Sequence, residues 1–155
     1  MRKQAAKKIP LAPDSKYNDK LVTRFINCIM WDGKKSTAQK IFYDAVDKVS
    51  KSTSEDGYEV WKTALNNVTP AVEVRSRRIG GATFQIPTEV RQDRKTSLAI
   101  KWLIRYSRER NGRTMADKLA NEIVAASKNE GSAIKKKEDT HRMAEANKAF
   151  AHFKS

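Results

Sequence analysis

The chain has 155 residues, enough for one domain with a real core, and its 32 Lys and Arg against 18 Asp and Glu give a formal net charge of +14. With 39% hydrophobic and 32% charged residues it reads as a modest core under a charged surface, and so much self-repulsion favours a polyanionic partner. No apolar run approaches the ~18 residues of a membrane span, and no apolar stretch follows the basic N-terminus as in a secretory signal. A single cysteine, Cys28, precludes an intramolecular disulfide framework and suits a reducing, cytoplasmic compartment.

Residues 1–20 hold two prolines, six basic residues and no helical period, which predicts an extended basic N-terminal arm. Residues 21–155 read as one helical domain. Val22, Phe25, Ile26, Ile29 and Met30 recur at helical spacing, with Gly33 placed to end the first helix. Cys28 on that helix reads as a packed core thiol. Ser36 with Gln39 is a capping-box signature for a second helix, whose apolar stripe runs from Ala38 to Val49 and which should end near residue 51. Polar turn material from Ser52 to Gly57 precedes a third stripe, Tyr58, Trp61, Ala64, Leu65 and Val68, which Pro70 stops.

Period-two alternation at Val72, Val74, Phe84, Ile86, Thr88 and Val90 around Gly80-Gly81 predicts a β-hairpin at about 72–90. A two-residue Gly-Gly turn would pair Val74 with Pro87 and split the apolar residues between faces. A three-residue loop, Ile79-Gly80-Gly81, pairs Val74 with Ile86 and puts them on one face, leaving Glu73, Arg75, Arg77 and Gln85 on the other. The odd-length loop, or a bulge near the tip, is therefore expected. Asp93 is a plausible N-cap for a fourth helix with Leu98, Trp102, Leu103 and Tyr106 on one side and Arg94, Lys101, Arg105 and Arg108 as a basic stripe on another. Thr114 with Asp117 opens a fifth helix with Ala116, Leu119, Ala120, Ile123 and Val124 as its core face. Residues 132–153 read as a last helix. The expected fold is mainly α, a six-helix bundle with a protruding β-hairpin between helices three and four.

The charge is uneven. Residues 21–70 hold seven basic and six acidic residues, whereas the arm nets +4, residues 71–95 net +3, residues 96–113 net +4 and residues 128–155 net +3. The arm, the hairpin, the fourth helix and the last helix therefore form the expected polyanion-facing side. Arginine dominates the hairpin, which favours forked phosphate contacts and stacking on bases. The Lys135-Lys136-Lys137 run reads equally as RNA contact or solvated helix face. Catalytic constellations do not emerge. GKKS at 33–36 lacks the earlier glycine of a phosphate-binding loop, because position 28 is cysteine; His141 and His152 have no cysteine partner for a metal; and the acids are scattered. The competing classes are a DNA-binding or general nucleic-acid chaperone, which would bind duplex DNA and show little preference among RNAs, and an RNA-acting enzyme, which the missing acid–base or metal cluster disfavours.

DGKKSTAQKI (32–41), VEVRSRRIGGATFQIPTEVR (72–91) and EDTHRMAEANKAFAH (138–152) resemble the small-subunit ribosomal protein seven family of bacterial type, over about Ile9 to Phe153. The resemblance implies a non-enzymatic constituent of the small (30S) ribosomal subunit, bound to the ribosome in the cytoplasm. It implies a primary binder of the 3′ major domain of 16S ribosomal RNA that nucleates head assembly, with the ribbon beside the exit-site tRNA. Ribosomal proteins nine and eleven are the implied protein neighbours, and no cofactor, metal, membrane or small-molecule substrate is implied. Resemblance and charge together mark Arg2, Lys3, Lys7, Lys8, Lys34, Lys35, Arg75, Arg77, Arg78, Arg91, Arg94, Lys95, Lys101, Arg105, Arg108, Arg113, Lys135, Lys136 and Arg142 as candidate ribosomal-RNA contacts. Ile79, Gly80, Gly81, Ala82, Arg142 and Lys148 are the tRNA-proximal set. Gln92 stands where many members carry proline, which leaves the shape of the fourth helix's start open. The chain stops at Phe153-Lys154-Ser155, without the aromatic tail of some members.

Overall fold

A computed structural model of the chain describes residues 9–153. Among them six α-helices and one antiparallel hairpin follow in order: α1 Lys20–Ile29, α2 Lys35–Thr53, α3 Gly57–Val68, β1 Val72–Ile79, β2 Ala82–Glu89, α4 Gln92–Glu109, α5 Met115–Ser127 and α6 Ser132–Ala146. A 3-10 helix, Lys148–Phe153, ends the described chain. This is the expected six-helix bundle with an inserted ribbon.

The core forms where the apolar stripes meet. Phe25 of α1, Phe42 of α2 and Trp61 of α3 make a triangle of rings, with Trp61 edge-on to the two phenylalanines at 5.4 and 5.3 Å. α5 packs against α2, α3 and α4, burying Ala116, Leu119, Ala120 and Ile123. It starts at Thr114 and Asp117 as expected, and the pair forms a capping box: Thr114 Oγ1 accepts from Asp117 N–H and the Asp117 carboxylate accepts from Thr114 N–H. Gly57 opens α3 against the back of α2, where a Cβ would stand 2.3 Å from the Val46 carbonyl oxygen. A larger residue there would push the two helices apart. Residues 9–19 are not uniformly extended away from the bundle. Asp14 is buried, accepting from the Tyr43 hydroxyl at 2.7 Å, and Tyr17 stacks on Tyr58 at 4.7 Å.

Several local expectations are corrected. α1 ends at Ile29, four residues before Gly33, because Asp32 and Gly33 (φ 52° and 72°) form a separate left-handed turn. That turn starts α2 at Lys35 with Lys34 as its N-cap, so Ser36 lies inside the first turn and no capping box with Gln39 forms. α2 runs two residues beyond the expected end, to Thr53. Arg91, not Asp93, is the N-cap of α4; Asp93 sits in the first turn, where its charge suits the helix N-terminus. Gln92 is the first helical residue, a position that accepts proline equally well. The core face of α4 is Ala99, Ile100, Leu103, Ile104 and Ser107, leaving Leu98, Trp102 and Tyr106 half-buried. The last helix is not continuous: it gives way at Asn147 to the 3-10 helix, which sets Phe150 against Phe84 at 5.4 Å.

The hairpin register is also corrected. Val74 pairs with Pro87, Arg75 with Ile86, Arg77 with Phe84 and Ile79 with Ala82 across a two-residue Gly80-Gly81 turn. Both glycines have positive φ, 56° and 88°, the geometry that a tight hairpin turn requires and that only glycine adopts freely. The odd loop was expected on the premise that one face must stay polar. That premise fails: Ile86 and Glu73 are buried on one face, and Val72, Val74 and Pro87 are half-buried on the other. With both faces of the root partly covered, turn chemistry sets the register. Gln85 consequently lies on the face opposite Glu73, Arg75 and Arg77.

Candidate nucleic-acid interface

At the ribbon root, alternation along β1 places Glu73 and Arg75 on one face, and the short link into α4 returns Arg94 to the same spot. Arg94 Nε donates to both Glu73 oxygens, at 3.0 and 2.7 Å, and Arg75 donates to Oε1 from Nε at 2.9 Å. Burial alone would raise the Glu73 carboxyl's pKa, but the hydrogen bonds and charges of Arg94 and Arg75 outweigh it and hold the group below its ordinary value. Arg77 and Arg78 continue outward as exposed residues toward the tip, and Arg91 is exposed at the start of α4. Ile79 to Ala82 form that tip, with Gly80, Gly81 and Ala82 exposed.

On another part of the bundle the α1–α2 turn, the start of α5 and the end of α4 enclose a cleft of about 520 Å³. Its floor is apolar, from Ile29, Met30, Ala38, Ile41 and Met115, and its rim carries Lys34, Arg108, Arg113 and Lys118. Trp31 forms a wall and is 66% exposed. The Arg108 guanidinium lies over the Trp31 ring, 4.9 Å from its centroid, and donates to the Ile29 carbonyl at 3.1 Å. Lys35 is exposed at the first residue of α2.

The α4 stripe is real but divided. Arg94 serves the ribbon root, Lys101 is exposed, Arg105 pairs with Glu109 at 3.1 Å, and Arg108 turns into the cleft. Lys101, Arg105 and Arg108 also flank a groove floored by Leu98, Trp102 and Ile104. No single continuous face therefore collects all four residues.

A cleft and a ribbon of this kind suit nucleic acid, and comparison with known proteins supplies the family. The sequence matches the model of the family described as Ribosomal protein S7p/S5e over residues 1–148. The small ribosomal subunit protein uS7 of Cytophaga hutchinsonii is 66% identical, covering 99% of each chain. That of Christiangramia forsetii is 64% identical, again over 99% of each. The chain belongs to the ribosomal protein S7p/S5e family. It is accordingly a structural, non-enzymatic constituent of the small ribosomal subunit, bound to the ribosome in the cytoplasm. Among the described residues no helix is long and apolar enough to cross a membrane.

The remaining candidates of this S7p/S5e chain fall into place as follows. Lys135 is exposed and Lys136 half-buried on α6; Arg142 lies 3.8 Å from Asp139, and Lys148 lies 3.3 Å from Glu145. Lys137 has a structural task, donating to the Asn67 carbonyl at 2.7 Å in the last turn of α3. Lys95 is half-buried, 3.9 Å from Glu89. Arg2, Lys3, Lys7 and Lys8 lie outside the described residues. Cys28 is exposed and not a core thiol, because Val22, Phe25, Ile26 and Ile29 take the inward side of α1. Trp31 and Met115 were missed by sequence reasoning. The available signal was a bulky aromatic immediately before the Asp32-Gly33-Lys34-Lys35 turn.

Proposed function

We propose that the chain is a primary binder of the 3′ major domain of 16S ribosomal RNA and nucleates assembly of the subunit head. In this reading Ile79 to Ala82 stand beside the exit-site tRNA, α6 runs along the RNA and near the tRNA path, and ribosomal proteins nine and eleven are neighbours. The observation that carries the RNA reading is the cleft beneath Trp31. Lys34, from the α1–α2 turn, meets Arg108 and Arg113, from the end of α4 and the loop after it, over one apolar floor. An exposed indole above such a floor suits an unpaired base, and a basic rim suits its flanking phosphates. Since the major groove of helical RNA is too deep for side chains to read, specificity then comes from the shape of a folded junction and its unpaired bases.

A ribbon with exposed Arg77 and Arg78 also has dimensions that fit the major groove of DNA, which keeps a general nucleic-acid binder as the second reading. Affinity for a transcribed 3′ major domain, an unrelated RNA of equal length and duplex DNA, measured across a salt series, separates the two. The proposal expects about tenfold or greater preference for the first, ~1.4 kcal/mol, persisting as salt rises. Equal binding to all three that collapses with salt refutes it.

A further inference from the structure

Glu73 is oddly placed on electrostatic grounds. The ribbon and the start of α4 concentrate arginine, and an acid among them weakens attraction to a polyanion. Its burial adds a desolvation cost that only good geometry offsets. The geometry is good. The two arginines, nineteen positions apart in sequence, both reach this one carboxylate: Arg75 Nη2 at 2.8 Å and Arg94 Nε at 2.7 Å. Two guanidinium groups held so close would repel without a negative charge between them. Yet neither is consumed by the pairing, since the Arg75 and Arg94 side chains remain 52% and 50% exposed while that of Glu73 is 9% exposed.

Resting on the RNA reading above, we infer that Glu73 is a positioning residue that holds Arg75 and Arg94 side by side at the ribbon root as one clamp for a single RNA backbone phosphate. Arginine offers several donors in a planar fork, and a fork already fixed in place loses little freedom when phosphate arrives. The carboxylate occupies part of each fork and leaves the exposed part to the ligand. The triad keeps one net positive charge, so the attraction survives the pairing.

The test turns on the sign of one substitution. Full-length chain and its Glu73→Gln variant are titrated with the transcribed 3′ major domain across a salt series, with circular dichroism and thermal melting alongside. Glutamine keeps the shape and raises the net charge by one, so an acid that merely fills space predicts equal or tighter binding. A positioning role predicts that affinity falls about tenfold, on the order of one charge-assisted phosphate contact, and that the salt slope drops by about 0.7–0.9. Arg94→Lys is the second variant: it keeps the charge and the carboxylate but removes the fork, and the same loss is expected. Equal or tighter binding by folded Glu73→Gln, or a loss with an unchanged salt slope, overturns the inference. So does wild-type affinity in Arg94→Lys, which decides the matter where Glu73→Gln does not fold. A parent chain with no preference for this RNA over duplex DNA would instead overturn the RNA reading itself.

Discussion

Glu122 and Glu73 are both buried and both meet arginine, but in opposite settings. Glu122 is fully enclosed on α5: one oxygen accepts from Arg110 Nε at the end of α4, and the other accepts from Ala133 N–H at 2.9 Å in the first turn of α6. It ties three helices together and places a negative charge at a helix N-terminus. Glu73 joins a strand to a helix, and half of each partner side chain stays in solvent. The same pair of groups thus serves cohesion in the bundle and presentation at the ribbon root. The difference lies in how much of the arginine is left exposed.

The contrast can be broken most directly at Glu122. Glu122→Ala leaves Arg110 and the Ala133 amide without their acceptor, with an expected loss of about 3 kcal/mol. That corresponds to a fall in Tm of roughly 6–12 °C for a domain of this size, read by thermal melting. RNA selectivity of the folded fraction should not change. A loss below about 1 kcal/mol would remove the distinction between the two glutamates.

A smaller effect is expected from Gly131→Ala. Gly131 has φ +93°, and a Cβ there would stand 3.2 Å from both Ala125 Cβ and Glu122 Oε1. Backbone strain and crowding of the Glu122 site should cost about 1–2 kcal/mol, measured as a shift in urea midpoint at constant slope. An unchanged midpoint would mean that the α5–α6 corner yields without disturbing the carboxylate.

The smallest effect sharpens the ribbon side of the comparison. His141 Nε2 accepts from Ala71 N–H at 3.1 Å, so it must be unprotonated to hold α6 against the start of the ribbon. Burial first, and then the charge of Lys137, lower its pKa below the ordinary 6.5. As pH falls the unfolded chain takes up this proton first, so the stability is intact above pH 6.5 and is lost progressively below it. Glu73, also depressed, contributes stability that is lost only at more acid pH, through and below the ordinary carboxylate value. Hydrogen exchange at the Ala71 amide, corrected for intrinsic rate, should therefore lose protection between about pH 7 and pH 5. Protection that stays constant over that interval would contradict the assignment.

Much of the fold was legible because it is local. The stripes of Val22 to Ile29, Ala38 to Val49 and Tyr58 to Val68 carry their period on their face, and Thr114 with Asp117 is a complete start signal within four residues. The errors came where two local signals competed. On α4, apolar residues occur on more than one side, and packing against α3 and α5 selected the Ala99–Leu103 side over the Leu98–Trp102 side. In the hairpin, Gly80-Gly81 demanded a two-residue turn while the alternation argued for an odd one. The candidate site divides in the same way: exposed Arg77, Arg78 and Lys35 were readable as charge, whereas the Trp31 cleft and the Arg75–Glu73–Arg94 triad were not.

The sequence by itself determined the number and order of helices, the presence of the ribbon, the basic regions and the family resemblance. Each of these depends on periodicity, capping, composition or motif within a short stretch. Only the tertiary structure decided that Glu73 meets Arg94 and that Lys34, Arg108 and Arg113 share one cleft. Those outcomes depend on how helices rotate and dock to bury their stripes, and that choice is made by long-range packing between segments and not by any one of them.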